Sequence, residues 1–122
     1  MAEVLRLALP AGSRVVGGES GLGREVGWAV VLRPEALSFE ELDGGELVLL
    51  ASAAPEVFLG QPWLVQLMDR LNAERVSAVA LAGGVPDEIP ALADRLGLPT
   101  ISLPEGVVLH EIERLVLGTI LN

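Results

Sequence analysis

The side chains able to do covalent or metal chemistry are few. The 122-residue chain has one histidine, His110, and no cysteine. Zinc sites draw three or four ligands from histidine, cysteine and carboxylates, so this inventory predicts no metal centre. A nucleophilic triad would have to recruit His110, and no Gly-x-Ser-x-Gly elbow presents a serine to it. His110 therefore reads as a solvent-facing or lightly packed residue. The acidic groups Glu40-Glu41-Asp43 and Asp87-Glu88 lie in short connecting segments, where carboxylates are ordinarily solvated. No catalytic residue and no cofactor are expected.

Binding chemistry has better candidates. Gly17-Gly18-Glu19-Ser20-Gly21-Leu22-Gly23-Arg24 looks like a phosphate loop but lacks the Lys-Ser/Thr ending. It also leads into a strand, whereas phosphate cradles open a helix. It reads as a permissive turn. Gly83-Gly84 follows an apolar strand and precedes a helix, the place where open parallel sheets hold ligands. Ser52, at the end of the preceding strand, and Asp87, at the helix start, complete a candidate ligand-binding set of Ser52, Gly83, Gly84 and Asp87. Arg24 and Trp28 stand outside it as further candidates.

The elements that would position these residues are punctuated by glycine and proline. Residues 3–8 suggest a helical turn, and 14–18 a short strand before the glycine loop. Val26 to Leu32 reads as a strand closed by Pro34. Ser38 and Glu41 have the spacing of a capping box. The run 46–51 has the continuous apolar character of a strand buried on both faces. Pro62 suits the first turn of a helix whose apolar stripe is Leu64, Leu67, Met68 and Leu71. A strand over 76–81 follows, then a helix from about Glu88 to Leu96 capped by Asp87 and ended by Gly97. A very short strand within 99–104 and a helix over 108–121 complete the chain. The expectation is an α/β fold with a small, mostly parallel sheet: a β-α-β-α-β core with right-handed crossovers and helices packed on it. The N-terminal strands would extend that sheet or form a ribbon beside it.

Length and charge limit the function classes. The chain fits one domain, 1–122. Its 17 acidic residues against 8 basic ones give a net charge of −9, which argues against contact with nucleic-acid phosphates or anionic membranes. No apolar stretch reaches the ~20 residues that span a bilayer, and the first ten residues do not form a signal peptide. A soluble cytoplasmic domain is expected. Its last helix is apolar around most of its circumference, whereas a terminal helix should show a polar side. Either it packs against a partner or it leads into a following domain. Ile112, Leu115, Val116 and Ile120 are the expected interface residues, and a homodimer or higher homo-oligomer is the expected assembly.

Three blocks carry a resemblance. Arg14-Val-Val-Gly-Gly-Glu-Ser-Gly-Leu-Gly-Arg24-Glu-Val-Gly-Trp28-Ala-Val-Val is similar to the opening of the N-terminal domain of the purine-catabolism regulator (PucR) family. So are Gly44-Gly45-Glu46-Leu47-Val48-Leu49 and Leu92-Ala-Asp94-Arg95-Leu-Gly97-Leu-Pro99-Thr-Ile-Ser-Leu-Pro104, in the family's order. The resemblance implies the N-terminal sensory domain of a bacterial transcription regulator, with purine-breakdown metabolites as effectors and a separate helix-turn-helix domain reading DNA. One departure is Leu50-Ala51-Ser52-Ala53, where relatives often carry a Thr-Thr-Gly-like strand end. The leading expectation is a non-enzymatic regulatory domain that binds a small metabolite and signals through oligomerisation. The alternatives are an assembly module without ligand, or a nucleotide-holding domain resembling the N-terminal domain of the Mur peptide ligases.

Overall fold

The computed structural model describes residues 8–32, 42–51, 61–85 and 87–121, with the backbone alone at 51 and 61–64. The described elements are β1 (Arg14–Gly17), a 3-10 turn (Glu19–Gly21), β2 (Trp28–Leu32), β3 (Glu46–Ala51), α1 (Gln61–Ala73), β4 (Ala78–Ala82), α2 (Ile89–Leu96), β5 (Thr100–Ser102) and α3 (Leu109–Leu121). They form one sheet in the order β1-β5-β4-β3-β2. Strands β2 to β5 run parallel, and β1 lies antiparallel on β5 with a bulge between Val15 and Gly17. The mostly parallel α/β sheet is the one expected. The two N-terminal strands extend it rather than forming a ribbon, and they do so at opposite edges.

Burial explains the continuous apolar runs. Leu47 to Leu50 and Ala78 to Leu81 are fully buried, because both faces of the sheet are covered. On one face Val48, Leu50, Val79 and Leu81 meet Leu67, Met68 and Leu71 of α1 and Ile89, Leu92 and Ala93 of α2. On the other, Leu47, Leu49, Ala78, Ala80 and Ile101 meet Ile112 and Val116 of α3. Each fully buried large side chain contributes about 1.5–3 kcal/mol, so two helices below and one above hold the central strands firmly.

The helix boundaries follow local chemistry, with one correction. Gly97 adopts φ 64° at the end of α2, and its N–H closes onto Ala93 and Asp94 carbonyls, as expected for a left-handed cap. Asp87 does not cap the helix start. Glu88 holds the cap position in a helical conformation without a side-chain cap bond, and Pro90 stands in the first turn. A capping oxygen needs an extended backbone and an N–H two or three residues on, and proline removes one of those donors. The helical turn proposed within 3–8 lies almost wholly outside the described residues. The Ser38–Glu41 capping box, Ser52 and the side chains of Trp63 and Leu64 lie outside them as well. Among the described residues no helix is long and apolar enough to cross a membrane.

Candidate functional site

The carboxyl end of the sheet holds the first candidate. Gly83 and Gly84 follow β4 with φ of 94° and 110°, and both are exposed, as is Asp87. Ala51, the last described residue before Ser52, pairs with Ala82 in the sheet. The structure thus brings Gly83, Gly84 and Asp87 to one end of the sheet, while Ser52 itself is not described. Ligand crevices in open α/β sheets form where the strand order reverses. Here β3, β4 and β5 step in one direction, and α1 and α2 lie on the same face. Among the described residues the strand order does not reverse at this end, and the loop 52–60 that would face Gly83 and Gly84 lies outside them.

The glycine-rich segment has a different task from the one its composition suggests. It leaves β1 at one edge of the sheet and crosses the amino ends of the parallel strands to reach β2 at the other. Along the way the Gly18 N–H donates to Asp94 Oδ1 at 2.8 Å. Arg24 Nη1 donates to the Val76 carbonyl at 3.0 Å. The Ser77 hydroxyl donates to the Glu25 carbonyl. Gly27 N–H donates to the Gly45 carbonyl at 2.9 Å. This belt lies so close that side chains do not fit beneath it. A Cβ on Gly17 would stand 2.7 Å from the Pro90 carbonyl, and one on Gly18 or Gly21 would overlap the carbonyls of Leu98 or Gly97. The glycines serve close packing, and Asp94 joins the first resemblance block to the third.

Between the belt and the end of α1 lies an open recess of about 310 Å³ lined by Arg24, Asn72, Arg75 and Ser77. Sequence reading singled out Arg24 alone of these four. The signal for Arg75 was available only as a position: it follows a helix end where glycine is usual, and it adopts φ 63°. Trp28, the other outlying candidate, opens the edge strand β2 and is 51% exposed.

The remaining candidates are quickly placed. His110 is exposed on α3, with Nδ1 3.7 Å from a Glu113 carboxylate oxygen. Among the described residues no three His, Cys, Asp or Glu side chains come together to hold a metal ion. Of the four expected interface residues, Ile112 and Val116 are buried in the chain's own core and Ile120 packs partly against it. Leu115 is 57% exposed, and Val108, two turns before it, is 53% exposed.

Compared with known families, the chain matches the sequence model of the Purine catabolism regulatory protein-like family, PucR, over residues 3–120. A comparison with curated proteins gives no significant match.

Proposed function

The chain belongs to the Purine catabolism regulatory protein-like family, and from that we propose that it is the regulatory domain of a transcription regulator governing purine breakdown. The observation that carries this reading is the family match across residues 3–120. In this reading the domain is not an enzyme and works in the cytoplasm. It binds a purine or a ring-opened ureide and reports binding through self-association. The effector contacts Gly83, Gly84, Asp87 and Ser52, at the carboxyl end of the sheet.

The test is a thermal-shift screen of the purified chain against purines, ureides and nucleotides. A ligand that binds only the native state at a hundred times its Kd stabilises it by about 2.7 kcal/mol. A saturable rise for one chemical class is expected, and Asp87→Ala should remove it while leaving the ligand-free Tm in place. Asp87 suits this purpose because it is exposed and caps nothing. Gly84 does not, since φ 110° would strain any side chain placed there. A flat screen would sink the effector-binding half of the proposal.

A second reading, an assembly module without ligand, is favoured by the exposed pair of Val108, just before α3, and Leu115 on it. It predicts a flat screen together with a stable oligomer.

A further inference from the structure

We infer that the outer face of α3 is the docking surface for a second copy of this chain, the two helices packing antiparallel about a two-fold axis. This surface rests on the self-association half of the function proposed above, to which it adds an orientation and a set of contacts. Ile112 and Val116 turn one side of α3 into the core. At roughly 100° per residue, Leu121, Arg114, Gly118, Glu111 and Leu115 lie in that order across the other side, an arc of about 120°. Val108, which accepts the Ile112 N–H at the helix start, continues the arc past Leu115. All six residues are exposed. Gly118, near the middle of that arc, is the residue that the chain's own fold does not explain. A helix interior disfavours glycine against almost every other residue. Gly118 has no positive φ, and a Cβ there would meet nothing within 4 Å. Neither backbone conformation nor packing within the chain requires it. Close approach of another backbone does, and the large side chains around it, Val108, Leu115 and Leu121, are apolar and in solvent.

Charge selects the occupant. The chain carries −9 overall, so a second copy is repelled by an average patch of its surface. The outer face of α3 carries one acid and one base, Glu111 and Arg114, and is otherwise apolar. Among the described residues neither of these side chains has an ion-pair partner. In a parallel helix pair each charge would face its like. In an isologous antiparallel pair residue i faces j and j faces i. An axis level with Ile112 and Glu113 then sets Glu111 against the second copy's Arg114, twice over. It also brings Val108 to the level of the second copy's Gly118, with the two Leu115 side chains flanking the axis. A helix of 13 residues is about 20 Å long, so the contact is small and suits a reversible dimer.

Sedimentation velocity over a dilution series of the purified chain and its point variants tests this surface. A reversible dimer is expected. Arg114→Glu should raise the dimer dissociation constant about tenfold or more by setting like charges together twice, and Glu111→Arg should do the same. Both reversals in one chain should return it close to the parent value. Gly118→Leu should weaken the dimer while Tm in dilute solution stays level or rises, because leucine favours a helix more than glycine does. General hydrophobic stickiness would instead make that variant associate more strongly. Arg95→Glu makes the same charge change on α2, across the sheet, and should leave the dimer unchanged. A chain that is monomeric at every concentration overturns both this surface and the self-association reading, and leaves the face to a partner of another kind. A dimer that survives Arg114→Glu and Gly118→Leu overturns the α3 surface alone. So does equal weakening by Arg95→Glu, or failure of the paired charge reversal to restore association.

Discussion

Gly18 concentrates two demands in one residue. Its φ of 73° lies in the left-handed region, and a Cβ there would overlap the Leu98 carbonyl. Its buried N–H also needs the Asp94 carboxylate. Left-handed strain and overpacking together put Gly18→Ala at about 2–4 kcal/mol of lost stability in urea unfolding. Gly23, five residues on in the same loop, has nothing within 4 Å of its virtual Cβ. Gly23→Ala should stay within about 0.5 kcal/mol of the parent. Asp94→Ala should cost about 1–3 kcal/mol, because it leaves the Gly18 donor buried and unpaired. The glycines were legible in the sequence as a turn. Their actual role, backbone laid on backbone, was not, because the neighbouring carbonyls come from residues some 76 positions away, as the Gly18–Asp94 bond shows.

Each edge element is protected in its own way. Edge strands present unpaired N–H and C=O groups that invite another chain. Strand β1 is four residues long and carries a bulge. On β2 the Val31 N–H donates to Glu113 Oε2 of α3 at 3.2 Å, so the overlying helix covers part of the edge. Glu113→Ala should therefore speed hydrogen exchange at the Val31 amide, while Glu113→Gln, which keeps an acceptor, should do so much less. The strands and helices themselves were readable from apolar runs and punctuation. The start of α2 was not: Asp87 has the type of a cap, but Pro90 in the first turn takes away one of the donors a cap requires.

At the scale of the whole molecule, α3 shows how burial divides one apolar helix. Ile112 and Val116 belong to the core, while Leu115 and Val108, which sits just before the helix and accepts from the Ile112 N–H, remain exposed about two turns apart. If self-association uses this face, Val108→Glu with Leu115→Glu should lower the mass seen in light scattering and leave the circular-dichroism spectrum intact. An unchanged mass at matched concentration would remove α3 from the assembly reading. The double variant is preferable to one at Ile120, whose partial burial against the core would confuse dissociation with unfolding.

Apolar patterning determined the α/β class, the parallel core β3-α1-β4-α2-β5 and the buried stripe of α1, since burial on one face or two imposes periods readable along a single chain. The three resemblance blocks likewise marked the family. Only the tertiary structure decided that β1 and β2 flank opposite edges, and that the segment joining them crosses the amino ends of the parallel strands. It alone brought Arg24 beside Arg75. Those outcomes depend on which distant backbone groups pair and how closely two segments approach. Such choices are settled by packing in three dimensions and leave no period in the sequence.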